Sequence, residues 1–121
     1  MPAQTPVALL TIVLGALETA GAVQELVFRG ILQSLTGPLC IGAIGTVAGG
    51  FVVATGIALL LRSPRIDILI PATAWLSVPT FVISGVAYHY AGWPITAVGI
   101  TFPLLLVILN HRSNKAARQA A

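Results

Sequence analysis

Four apolar stretches follow one another along the chain, at residues 6–28, 39–61, 68–88 and 93–109. Between them lie the more polar strings RGILQSLTGP, RSPRID and HYAGWP, and the chain closes on NHRSNKAARQAA. A hydrocarbon layer about 30 Å thick is crossed by roughly 20 apolar residues at ~1.5 Å each. Each stretch therefore predicts a transmembrane helix, the second with no charge at all and the fourth short but adequate. The resulting picture is all-α: an integral membrane bundle of four transmembrane helices in one domain, with a polar basic tail at residues 110–121. The break at residues 30–38 is not very polar, and its pattern does not decide whether it lies along the interface or dips inward. No internal repeat is visible.

Composition strengthens this picture. The 121 residues are 57% hydrophobic and only 7% charged, with a mean hydropathy of +0.99, whereas soluble domains carry roughly 25% charged residues. A water-soluble surface is excluded, and the length leaves no room for a separate soluble catalytic module. Cys40 is the single cysteine, so neither an intrachain disulfide nor a CxxC pair exists. The net charge of +3 is not a nucleic-acid signature, because the basic residues sit at the edges of the apolar stretches. Arg62 and Arg65 lie between the second and third helices, and Arg112, Lys115 and Arg118 after the fourth. The positive-inside rule then places both termini on the cytoplasmic side and leaves only Arg29 outside. On that outer side Tyr88, Tyr90 and Trp93 form an aromatic belt, level with Phe28 and Arg29. No Lys or Arg precedes the first apolar stretch, so it reads as a retained helix rather than a secretory signal.

The small and polar residues predict packing. In the second helix Gly42, Thr46, Gly50, Ala54 and Ala58 recur every four residues, and Gly45 and Gly49 widen that stripe. Small residues let transmembrane helices approach closely. This stripe predicts a helix central to the bundle, or an interface with another membrane protein or a second copy. In the third helix Thr73, Ser77, Thr80 and Ser84 share one face at spacings of 4, 3 and 4. Pro71, Pro79 and Pro103 free backbone carbonyls within their helices. The hydroxyls either satisfy such carbonyls or line a cavity between helices.

The residues able to do chemistry are few. Glu18 falls near the middle of the first apolar stretch, where an ionisable group is expensive and marks a functional site by default. It must face the bundle and meet hydroxyls from another helix, or be carried as the neutral acid. Glu25 lies seven residues on, and Arg29 follows at i+4, the spacing of a helical ion pair. The topology brings Glu25, Arg29 and His89 to the same outer end, with Tyr88 and Tyr90 beside them. Glu18 lies about 10 Å deeper, from seven steps of ~1.5 Å, at the floor of such a pocket. Glu18, Glu25 and His89 are thus acid/base candidates, and Arg29, Tyr88, Tyr90 and Trp93 substrate-binding candidates. His111 belongs to the solvated tail. One His and two Glu are too few for a metal centre, neither His is deep enough for haem, and no P-loop, GxSxG or nucleophile–base pair occurs. No cofactor is singled out.

Two strings resemble known families. Residues 24–30, QELVFRG, are similar to the EExxxR motif of CAAX-type intramembrane proteases. Here Gln24 replaces the first Glu, and no FxxxH motif follows. A broader likeness rests on GGFVVATGIALLLRSPR at residues 49–65 and VISGVAYHYAGWP at residues 82–94. With the overall size and helix count, these resemble the DoxX-like family of small four-helix membrane proteins. That family's usual first-helix ending is replaced here by ETAGAVQELVF. The resemblance implies the same four-helix fold and varied activities that include redox-linked membrane partners.

The functional expectation is a small multi-pass membrane protein acting as a partner subunit or as a binder of a hydrophobic metabolite. The alternative is a membrane-embedded enzyme using Glu18, Glu25 and His89 on a quinone, lipid, terpenoid or polyketide. A proton-coupled small exporter ranks below both.

Overall fold

The computed structural model describes residues 4–87 and 93–120. Helix α1 spans Gln4–Gln24 and runs on as a π-helical segment, Glu25–Ile31. Helix α2 spans Thr36–Leu60. Helix α3 spans Ile66–Phe81 and also ends in a π-helical segment, Val82–Ala87. Helix α4 spans Trp93–Ala120. All four are long and apolar enough to cross a membrane. Much of the outer surface is apolar as well: Ile68 is 73% exposed and Trp75 80%, which suits a hydrocarbon surrounding rather than water.

Two boundaries differ from the sequence pattern for local reasons. The break at residues 30–38 shrinks to residues 32–35, because α1 is prolonged by its π-helical turns and α2 already includes Thr36, Gly37 and Pro38. The polar tail is helical through Ala120: polarity ends the membrane-crossing stretch without ending the backbone hydrogen bonding. By contrast α2 does stop where its apolar run stops. Arg62 takes a left-handed conformation (φ 54°), its N–H bonds the Leu59 carbonyl at 3.2 Å, and the Ser63 N–H bonds the Ala58 carbonyl at 2.9 Å. This is a Schellman-type helix end, with arginine where glycine is usual.

The closest packing joins α1 to α2, antiparallel. A methyl group added at Gly42 would lie 2.7 Å from the Leu26 backbone nitrogen. At Gly49 it would lie 2.8 Å from the Thr19 nitrogen, and at Gly56 2.8 Å from that of Ile12. Gly15 of α1 answers in kind, 2.7 Å from the Val53 nitrogen. The contact positions advance by three and four residues in turn, as in a left-handed coiled coil. Where the surroundings are as apolar as the helices, such backbone proximity supplies the dispersion contact that holds them together.

This seam corrects the register of the predicted stripe. Each step of four residues overshoots a full helical turn by about 40°, so a strict i+4 series winds off the contact face. Gly42 and Ala58 are buried and Thr46 is partly buried, but Gly50 and Ala54 are exposed, and nothing lies within 4 Å of a methyl group added at Gly50. The seam runs through Gly42 and the widening pair Gly45 and Gly49, and continues at Gly56 rather than at Gly50 and Ala54. The expectation that α2 is central holds, since it packs against both α1 and α3.

The remaining contacts close one end of the bundle. The amide nitrogen of Gln4 donates to the Leu59 carbonyl at 2.8 Å. Thr55 and Thr73 share a buried hydrogen bond of 2.7 Å between α2 and α3. Ala8, Leu59, Ile70 and Leu106, one from each helix, form a buried apolar cluster. Beyond it Asn110 and Asn114 of α4 donate to the Asp67 carboxylate at the start of α3, at 3.2 and 3.0 Å. Arg62 and Arg65 neighbour this end, as do Arg112, Lys115 and Arg118 on the last turns of α4.

The seam generates a paired prediction. Gly49→Ala forces α1 and α2 apart and lowers stability by about 1–3 kcal/mol. Gly50→Ala is neutral or stabilising, by up to ~1 kcal/mol of helix propensity. Thermal unfolding of the two variants in detergent checks this, and equal behaviour of the pair would refute the seam.

Candidate functional site

Away from the closed end the bundle opens. Helices α1, α2 and α3 stay packed in chain order, α4 packs on α3, and α1 and α4 face each other across a cavity of about 840 Å³. Its length runs from Leu14, Val52 and Pro103 to Phe28, Arg29 and Pro94. The walls are mainly apolar. Leu14 and Leu17 line it from α1, Ile41 and Val52 from α2, and Ile95 and Val98 from α4. Three aromatic rings, Phe28, Phe81 and Phe102, also face it.

Glu18 lies on this wall, half-buried. The sequence placed it on the inward face of α1, and the structure supplies the hydroxyl partner: Ser77 of α3, fully buried, donates to one carboxylate oxygen at 3.2 Å. Ser77 belongs to the predicted polar stripe, all four of whose members are buried. The stripe divides between its two expected roles. Thr80 and Ser84 line the cavity, whereas Thr73 bonds the Phe51 carbonyl at 3.2 Å. Thr80 also bonds the Leu76 carbonyl at 2.6 Å. Neither carbonyl is that of Asp67 or Trp75, the two that lose their i+4 donors to Pro71 and Pro79.

Glu25 and Arg29 meet as the spacing predicts. The Arg29 guanidinium donates to the Glu25 carboxylate at 2.8 Å, and both line the cavity at the end remote from the basic cluster. They sit on the π-helical extension of α1, and Ser84 sits on that of α3. A π-helical turn carries more residues per turn than an α-helix, and short π segments recur at functional sites. Glu18 is not the floor of the cavity, however. Leu14 and Val52 line it deeper still, so the carboxyl sits on the side wall, with about one helical turn of apolar wall beneath it.

The other candidates divide. Trp93 is 81% exposed and is not among the residues that line the cavity, whereas its neighbours Pro94 and Ile95 are. His89, Tyr88 and Tyr90 lie outside the described residues. The wall contributed by α4 was missed from sequence: Val98 and Phe102 look like any other membrane-helix residues. Only Gly99, packed against the Phe81 ring, hints that α4 approaches α3 there. The Asp67–Asn110–Asn114 group was also missed, because Asp67 lies more than 40 positions from both asparagines.

The arrangement is chemically simple: a long apolar chamber with one carboxyl on its side wall, hydroxyls nearby and an ion pair at one end. Compared with models of protein families, with functionally characterised proteins and with solved structures, the chain finds no match.

A double-mutant cycle tests the central contact. Glu18→Leu and Ser77→Ala each destabilise the bundle, and their effects are non-additive by about 0.5–1.5 kcal/mol, the range of hydrogen bonds between membrane helices. Glu18→Gln stays near wild type, because the amide oxygen still accepts from Ser77. Strict additivity in detergent unfolding would show that the two residues do not interact.

Proposed function

We propose that this chain is a multi-pass membrane protein that holds a hydrophobic small molecule in the cavity between α1 and α4. The supporting observation is the cavity itself: about 840 Å³, walled by aliphatic and phenyl side chains, with few polar groups. Binding sites for small molecules are typically ~300–1,000 Å³, mostly apolar, with a small number of placed polar groups. A ligand dissolved in a bilayer needs apolar walls to leave its surroundings without loss, and a polar handle to be held in one orientation. Glu18, oriented by the buried Ser77 hydroxyl, supplies that handle.

The orientation follows from charge. Arg62, Arg65, Arg112, Lys115 and Arg118 gather at the closed end, which the positive-inside rule assigns to the cytoplasm. The cavity then lies toward the outer leaflet. This topology also suits kinship with the DoxX-like family, resting on the strings at residues 49–65 and 82–94. A second reading, an enzyme working on the bound molecule, draws on the fact that Glu18 and Glu25 both line the chamber. It is separated from simple binding by Glu18→Gln: an enzyme retains its ligand and loses turnover.

Two measurements test the proposal. Protein in lipid nanodiscs binds the neutral fluorescent probe N-phenyl-1-naphthylamine, and Val98→Trp, which fills the chamber from a half-exposed position, weakens that binding on the order of tenfold. Unchanged binding by a folded Val98→Trp variant would remove the cavity as the site. In a Cys40→Ser background, Ser63→Cys is labelled by a membrane-impermeant maleimide only from the cytoplasmic face. Labelling from outside would reverse the orientation.

A further inference from the structure

The charges lining the cavity do not cancel. Its ionisable residues among those described are Glu18, Glu25 and Arg29. Arg29 and Glu25 neutralise each other at 2.8 Å. The remaining basic residues, Arg62, Arg65, Arg112, Lys115 and Arg118, are outside the lining. Among the described residues, Glu18 is therefore the one acidic group there that no basic side chain offsets. Its described hydrogen-bond partner is a neutral hydroxyl, Ser77, which reaches only one of the two carboxylate oxygens. No buried side-chain oxygen or nitrogen among the described residues lacks a partner, so the second oxygen of Glu18 is one that the chamber can reach.

Phe81 and Phe102 line the same chamber as this carboxyl, and Phe28 lines its far end. The face of a phenyl ring attracts a cation and repels an anion. The aliphatic walls reject a small hydrated ion, since they offer nothing in place of its water. Carboxylate, aromatic faces and apolar walls together select for one kind of occupant.

We propose that the cavity's ligand is a lipophilic monocation, an apolar body carrying a single positive nitrogen or phosphorus centre, seated against Glu18. This rests on the reading of the cavity as a ligand site and specifies the ligand's class. The body occupies the aliphatic part of the chamber, and the charged centre pairs with the Glu18 carboxylate.

The test uses two ions of matched size and opposite charge, tetraphenylphosphonium and tetraphenylborate, alongside neutral N-phenyl-1-naphthylamine. Each is titrated against the full chain in nanodiscs of zwitterionic lipid. The cation is expected to bind at least on the order of tenfold more tightly than the anion. Val98→Trp weakens it, and Glu18→Gln abolishes the preference for the cation over the anion. Glu18→Asp keeps the charge but is too short for Ser77, and it retains the preference for the cation. That second variant separates charge from folding, with helicity and monodispersity as the check on each. Equal binding of both ions in a protein that still binds the neutral probe in a Val98-dependent way would overturn the cation assignment and leave the ligand site standing. Failure of all three probes to bind would overturn the ligand site, and the assignment with it.

Discussion

Backbone contact between α1 and α2 is the constraint on which the rest of the molecule depends. Four glycines of α2 and one of α1 hold the two helices so close that a single methyl group would meet main-chain atoms of the facing helix at Gly42, Gly49, Gly56 and Gly15. In a hydrocarbon surrounding, water exclusion does not drive helices together, so contact distance decides whether they associate. The tight pair is a rigid slab, and α3 and α4 are laid against it. Glu18 lies on α1 beside this seam, and its direction into the bundle follows from Thr19 and Gly15 facing α2.

The two ends of the bundle are built on different principles. One end is filled: an apolar cluster from all four helices is flanked by Gln4 on the Leu59 carbonyl and by two asparagines on Asp67. The other end is left open between α1 and α4, and its polar groups line the opening. Hydroxyls do most of the polar work inside. Thr11, Thr19 and Thr46 each bond a carbonyl one turn back on their own helix, so they are satisfied without depending on a neighbour. Ser77 bonds across to Glu18 and ties α3 to α1, as Thr55 and Thr73 tie α2 to α3. A polar contact of that kind fixes which faces of the helices meet, where small residues alone would permit sliding.

Much of this was legible from the residue pattern, and the failures have physical causes. Helix number, approximate spans and the inward face of Glu18 follow from hydropathy and from the cost of a charge at depth, which are local quantities. The Glu25–Arg29 pair follows from helical spacing. The stripe on α2 was read with a strict four-residue repeat, whereas interhelical contact keeps a repeat near 3.5. That difference turned Gly50 and Ala54 outward. The chamber was only half legible: its α1 and α3 walls carry polar residues that stand out in an apolar sequence, but its α4 wall is made of Val98, Phe102 and their neighbours, which carry no compositional mark. The helical tail was hidden because polarity reports where a membrane ends, not where a helix does.

The π-helical segments give α1 and α3 a property that the seam lacks. A π turn is commonly an α-helix that has taken in one extra residue, so Glu25–Ile31 and Val82–Ala87 are places where chain length is negotiable. Removing one residue there returns the backbone to an ordinary α-helix and, because the wide turn had absorbed that residue, leaves the turns on either side aimed as before. The same deletion at residue 17 would rotate one half of the seam against the other and part the helices. The molecule therefore separates stretches where a lost residue would break the helix contacts from wide turns that can lose one without rotating the rest of the helix.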